Sequence, residues 1–193
     1  MKKILLSFTT LDDYTRWSHT YINKLMGIKK EENEFMTKGK ETHKKLQDHM
    51  IGKAKLPINL KWDITQAEYH ARKDIDEKYQ FHGYLDGVNF RSKLAVEIKT
   101  GSPWSNKKFE ESIQTRYYSW VTGLRKFLFI TCRFDLSELK VYYKEMTDQD
   151  WKKAEKWAYA ALKGIKNAEF KGGIDDDGYC TGCSYGPVCY FAR

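Results

Sequence analysis

The chain has 193 residues, enough for one globular domain with a full hydrophobic core. Aromatic residues make up 15% of it, which excludes a disordered chain. It also lacks any run of roughly 18 apolar residues, so no membrane span is expected. The formal charge of +8, from 34 Lys and Arg against 26 Asp and Glu, suits an anionic partner such as nucleic acid without identifying one.

The opening MKKILLSFTTLDD holds two lysines and a short apolar run. The run is too short for a signal peptide, and no small-residue cleavage site follows, so an intracellular protein is expected. FTTLDDYTRWSHTYINKLMG reads as one helix: Thr10 can cap it, Leu11, Tyr14, Ser18, Tyr21 and Leu25 keep helical spacing, and Gly27 can end it. After the charged connection KKEENE, a second helix runs through EFMTKGKETHKKLQDHMIG. There Met36, Gly39, His43, Leu46 and Met50 share one stripe. Strands are expected in INLKWDI, AEYHARKDI, YQFHGYLDGV and KLAVEIKT. NKKFEESIQTRYYSWVTG reads as a helix with Phe109, Ile113, Tyr117 and Val121 on one face and Gly123 as its stop. KFLFITCRF and LKVYYKEM are strands, and TDQDWKKAEKWAYAALKG is a helix capped by Thr147. The order predicts a mixed α/β architecture, one central sheet flanked by helices. A Gly- and Asp-rich tail from about residue 165 ends in three of the four cysteines. That clustering points to a metal site rather than to a secreted disulfide framework. Cys132, inside a strand, reads as a buried inert thiol.

The chemistry concentrates around HGYLDGVNFRSKLAVEIKTG. In a strand, Leu94, Val96 and Ile98 turn one way and Glu97 and Lys99 the other, these last two about 7 Å apart. Asp86 lies at the end of the preceding strand or in its turn, where an antiparallel neighbour brings it toward Glu97. Converging carboxylates repel unless a cation separates them, and oxygen ligands suit Mg²⁺ or Mn²⁺. A nearby ammonium then orients a metal-bound water and balances charge on a phosphorane-like transition state. His43, on the apolar stripe, approaches the same carboxylates if Gly39 lets its helix lie close to the sheet; an imidazole tilts preference toward Mn²⁺. Gln114 and Tyr118, four apart on a helix, share a face and can hydrogen-bond a phosphate or a catalytic group. Trp104 can stack on an unpaired base, and Lys107 and Lys108 can meet phosphates. For each of these residues the alternative is an ordinary structural role: a satisfied histidine, a packed tryptophan, a solvated lysine surface.

GKETH, GYLD, EIK and QTRYY follow one another as Gly-x-x-x-His, Gly-x-x-Asp, Glu-x-Lys and Gln-x-x-x-Tyr. In order and spacing they resemble the RecB-like branch of the PD-(D/E)XK nuclease superfamily, from about Gly39 to Tyr118. CTGCSYGPVC resembles the C-terminal part of the iron–sulfur motif of CRISPR-associated RecB-like exonucleases and of AddB-type helicase–nuclease subunits. The short chain without helicase motifs favours the stand-alone exonuclease type of CRISPR or phage. The resemblance implies a restriction-endonuclease-like core that hydrolyses DNA phosphodiesters, often on single strands from an end. It implies His43, Asp86, Glu97 and the Ile98 backbone carbonyl as metal ligands and Lys99 as the catalytic lysine. Gln114 and Tyr118 would place substrate or lysine. It organises the chain as one nuclease domain, with an N-terminal helical part (1–35), a catalytic core (36–164) and a Cys-rich tail (165–193) packing on the N-terminal helix.

The cluster's first cysteine is missing, because Trp17 stands at its place. A four-iron cluster normally takes four protein ligands. Cys180, Cys183 and Cys189 therefore leave three options: a 4Fe-4S cluster with a non-cysteine fourth ligand such as His19, a Zn²⁺ site, or a tail that packs without metal. Two other readings of the chain stand beside the enzyme. One is a nuclease fold kept for binding DNA or a partner. The other is a component that works beside a CRISPR integrase or a phage recombinase.

Overall fold

The computed structural model describes residues 3–16, 18–29, 32–56 and 64–169. Trp17, the INLKWDI segment before Ile64, the side chain of His19 and the tail cysteines Cys180, Cys183 and Cys189 lie outside the described residues. The elements in order are β1 (Ile4–Ser7), α1 (Phe8–Arg16), α2 (Ser18–Leu25), α3 (Glu34–Met50), β2 (Gln66–Asp74), β3 (Tyr79–Asn89), β4 (Leu94–Thr100), α4 (Asn106–Glu111), α5 (Ile113–Thr122), β5 (Lys126–Cys132), β6 (Lys140–Glu145) and α6 (Asp148–Lys166). None of these helices is long and apolar enough to cross a membrane.

The strands form one mixed six-stranded sheet in the order β1-β3-β4-β5-β6, with β2 on the other edge of β3. Helices cover both faces, as the sequence predicts. One core joins α1, α5 and α6 to the sheet through Leu11, Phe81, Leu85, Tyr117, Phe127 and Phe129. A smaller core packs Leu46 and Met50 of α3 on Val96, Ile98, Ile130 and Cys132. Burial raises the Cys132 thiol above its ordinary pKa, in keeping with an inert core position.

Four boundaries differ from the sequence expectation. The N-terminal segment opens with a strand, β1, which pairs in parallel with residues 79–82 of β3. Helix α1 then starts at Phe8, and its cap is Ser7, whose Oγ accepts from the Thr10 amide; Thr10 lies inside the helix. The stretch expected as one helix forms two, α1 and α2; Leu11 and Tyr14 of the first and Tyr21 of the second are buried, but Leu25 is exposed. The helix expected over 106–122 is two, because Ser112 sits in extended geometry, ending α4 and capping α5 through the Thr115 amide. Gly123 ends α5 in the left-handed conformation, and Thr147 caps α6 in a reciprocal box with Asp150.

The sheet's defining feature is a fork. Along one edge β3 pairs with β1 over 79–82 and with β4 only over 87–89. Between them, residues 83–86 have no ladder partner on that side. The Tyr117 hydroxyl closes the start of the fork, donating to both Leu6 O (3.0 Å) and His82 O (3.1 Å).

Candidate active site

Asp86 belongs to β3 itself, not to the following turn, and it fills the fork. Its Oδ2 accepts from the Ile98 amide of β4 at 2.6 Å, in place of the ladder bond that the diverging strands leave unmade. Its Oδ1 accepts from His43 Nε2 of α3 at 2.8 Å. His43 therefore reaches the carboxylate from the layer on one face of the sheet. Gly39 lies one turn earlier, and its carbonyl accepts from the Thr100 hydroxyl at 3.1 Å, so α3 approaches the end of β4; a Cβ at Gly39 would meet only ordinary contact distances, so the approach does not depend on glycine.

From the other face come Glu97, Lys99, Gln114 and Tyr118. Lys99 Nζ donates to Glu97 Oε1 at 2.5 Å, and Gln114 Nε2 donates to the same oxygen at 3.1 Å and to the Tyr118 hydroxyl at 3.4 Å. Glu97 is only 4% exposed. The polar side of β4 is thus an interior position, not a solvated face. Both faces of this strand are covered, and the alternation Leu94–Val96–Ile98 separates the two cores rather than core from solvent.

The electrostatics follow from this burial. Desolvation lifts the Glu97 carboxyl to about 7, with Asp86 pushing the same way and Lys99 and His43 opposing. Burial works against the charge on Lys99, but Glu97 and Asp86 outweigh it and hold the amine above its ordinary value. The hydrogen bond to Asp86 raises His43 despite its burial. Desolvation raises Tyr118 as well, keeping its hydroxyl neutral.

Glu97 Oε2 is buried with no hydrogen-bond partner. An unpaired carboxylate oxygen in an interior costs several kcal/mol unless a cation or donor meets it, so the donor set fits a hard divalent ion. Among the described residues, however, no three His, Cys, Asp or Glu side chains stand gathered as a ready metal-binding group. His43–Asp86 and Lys99–Glu97 are closed on each other as internal ion pairs. An incoming cation has to take over the roles that His43 and Lys99 fill here.

A cleft of about 400 Å³ opens on the fork, walled by α3 and by the β2–β3 pair. Lys40, His43, Lys44 and Gln47 line one wall, and Glu68, Tyr84 and Asp86 the other. Of the residues proposed to touch nucleic acid, Lys107 and Lys108 are exposed on α4. Trp104 is half-buried, with its ring 4.6 Å from that of Phe129 and Lys108 Nζ above it at 4.6 Å. Tyr84, an exposed aromatic two residues before Asp86, is not among the residues that the sequence motifs mark. The period-2 rule, applied backward from Asp86, places it beside the site.

A family model described as the PD-(D/E)XK nuclease superfamily matches residues 24–190. The chain belongs to that superfamily. No curated protein matches the sequence of this nuclease significantly. Solved structures share its fold at low identity. A putative exonuclease from Eubacterium rectale superposes with a TM-score of 0.61 at 11% identity, over 93% of the nuclease and 88% of that chain. An alkaline exonuclease from Laribacter hongkongensis gives 0.56 at 16% identity, over 84% and 88%. A phage-related exonuclease from Haemophilus somnus gives 0.53 at 13% identity, over 84% and 93%.

Proposed function

We propose that this nuclease is a Mg²⁺- or Mn²⁺-dependent deoxyribonuclease that removes nucleotides from single-stranded ends or flaps. The observation that carries the reading is the buried, unpartnered Oε2 of Glu97, set beside Lys99 at a fork that also holds Asp86 and His43. A binding module has no use for so costly an arrangement.

A divalent ion held by Asp86, Glu97, His43 and the Ile98 carbonyl supplies Lewis acidity and an activated water when bound. Lys99 holds that water toward the scissile phosphorus and balances charge developing on the phosphoryl oxygens. Gln114 keeps Glu97 Oε1 in place, and Tyr118 steadies Gln114 from behind. The water oxygen bonds to phosphorus as the bond to one ester oxygen breaks; the water's proton passes to solvent, and a solvent proton completes the leaving group. The Laribacter exonuclease has been solved in complex with dAMP, and its fold resembles this one at a TM-score of 0.52. That supports a deoxynucleotide strand as substrate.

The test is cleavage of end-labelled single- and double-stranded DNA with Mg²⁺ or Mn²⁺, run beside Lys99→Ala. Metal-dependent cutting lost in the variant supports the reading, and the ladder from each labelled end gives polarity. A folded wild-type protein that cuts nothing with either metal overturns it. For the tail we propose a structural metal on Cys180, Cys183 and Cys189, either an iron–sulfur cluster completed by His19 or Zn²⁺. Iron, sulfide and zinc analysis of the purified protein separates the two. Protein free of all three refutes both. Work beside a CRISPR integrase or a phage recombinase is the biological setting we propose, and co-purification tests it.

A further inference from the structure

Tyr84 is 60% exposed in a strand whose other residues are buried or half-buried. It shares a face of β3 with Asp86, about 7 Å away by the strand rise. Its ring lies flat on that of His70, its cross-strand partner, with centroids 4.3 Å apart and planes 14° from parallel. His70 is itself fixed: its Nδ1 accepts from Arg72 Nε (3.3 Å) and Nη2 (3.1 Å), which leaves Nε2–H to donate to His82 Nδ1 at 3.1 Å. One face of Tyr84 is therefore backed by a rigid group, and its exposed side opens into the cleft that contains Asp86.

The opposite wall carries Lys40 and Lys44. Both sit in exposed ion pairs, with Glu32 and Asp48 respectively. Such pairs are worth little and exchange readily for phosphate. Of the two acids on the Tyr84 wall, Asp86 is taken up by His43 and by the proposed cation, which leaves Glu68 to repel phosphate there. A strand lying in the cleft consequently turns its backbone to α3 and its bases to Tyr84.

Resting on the nuclease reading above, we propose that Tyr84, backed by His70, is the stacking platform for an unpaired base next to the scissile phosphate. It thereby gives the enzyme a preference for single-stranded over duplex DNA. A base inside a duplex has both faces covered by its neighbours, whereas an unpaired base offers one to the ring. The competing explanation is that Tyr84 and His70 merely form a cross-strand pair that stabilises the sheet.

The experiment measures binding of labelled DNA by fluorescence anisotropy in chelator, so that no strand is cut. Wild type, Tyr84→Ala and Tyr84→Phe are each titrated with single-stranded DNA, with duplex, and with single strands carrying one abasic position moved stepwise from the end. Tyr84→Ala is expected to weaken single-strand binding by about 5- to 150-fold, the usual range for one stacked base. Duplex binding should stay within about twofold, and Tyr84→Phe should bind like wild type, since the ring remains. At one position the abasic residue should weaken wild type and leave Tyr84→Ala unaffected. The proposal is overturned if the alanine and abasic effects multiply at every position, or if Tyr84→Ala weakens duplex equally. Binding is read without cleavage. A protein that shows the platform but never cuts refutes the nuclease reading alone, and one that cuts without the abasic coupling refutes the platform alone.

Discussion

Gly83 is the tightest steric point at the site, and replacing it with alanine tests the packing argument directly. A Cβ there would stand 2.5 Å from Tyr118 Cε1 and 3.0 Å from Cδ1. Tyr118 cannot swing aside, because its ring is nearly buried between Phe8 and Tyr117 at centroid distances of 6.1 and 5.8 Å. At 2.5 Å from a ring that cannot move, the overlap takes the upper part of the usual overpacking cost, about 2–3 kcal/mol. Alanine recovers about 0.5–1 kcal/mol over glycine in a strand, so the expected net loss is about 1–2.5 kcal/mol. For a chain of this length that lowers Tm by about 2–10 °C. Activity should fall further than stability requires, because a displaced Tyr118 disturbs Gln114 and, through it, Glu97. Thermal unfolding of Gly83→Ala, Tyr118→Ala and the double variant closes a cycle. With the ring gone, the alanine at 83 should become nearly neutral. A Gly83→Ala protein as stable as wild type, or a double variant that loses the sum of both single losses, would refute the reasoning.

Three further outcomes are expected. Gly39→Ala should raise stability by about 1 kcal/mol, read by urea unfolding, because its Cβ would meet Thr100 Oγ1 and Phe134 Cε1 at ordinary contact distances, 3.5 and 3.6 Å, inside a helix. Burial alone would raise the Asp150 carboxyl, but Arg116, Thr147 and Lys144 outweigh it and hold it well below the usual range. Its contribution is therefore complete above the unfolded-state pKa of about 3.9 and is lost as pH falls through the folded value. Asp150→Ala should cost about 3 kcal/mol at pH 7, since Arg116 is left buried without its counter-ion, and should flatten acid unfolding curves relative to wild type. The third concerns metal. With the Glu97 carboxyl raised to about 7, a divalent ion must displace a proton below that pH. Added Mn²⁺ should thus raise wild-type Tm more at pH 8 than at pH 6, and Glu97→Gln should lose the response; equal Mn²⁺ shifts at both pH values would refute this.

Much of the sheet was legible because β3, β4 and β5 alternate or run apolar over seven residues or more. The residues that meet at the fork were legible because each carries chemistry unusual for its place: a carboxylate inside an apolar strand, an imidazole on an apolar helix stripe. What escaped was set by partners distant in sequence. β1 spans four residues, and Ile4 and Leu5 are 45% and 40% exposed, so no period marks it; its strand character comes from pairing with residues 79–82. The break at Ser112 was masked by the helical spacing of Phe109, Ile113 and Tyr117, which continues across it. The fork is not a property of any single segment. It exists because two strands compete for one edge of β3, and Tyr84 was overlooked because its significance depends on the cleft that the fork opens.

The turn at residues 90–93 acquires a metering role from this arrangement. Gly87–Val96, Val88–Ala95 and Asn89–Leu94 are the pairs that hold β3 to β4, and their register brings Asp86 opposite the Ile98 amide. Adding or deleting one residue in that turn would slide Asp86 by a strand step of about 3.4 Å and turn the next side chain into its place. The loop between β2 and β3, on the other edge, sets a different register, the one that lays His70 against Tyr84. Two hairpins of similar size thus differ in what a change of length would reach: one the stacked pair beside the cleft, the other the carboxylate itself.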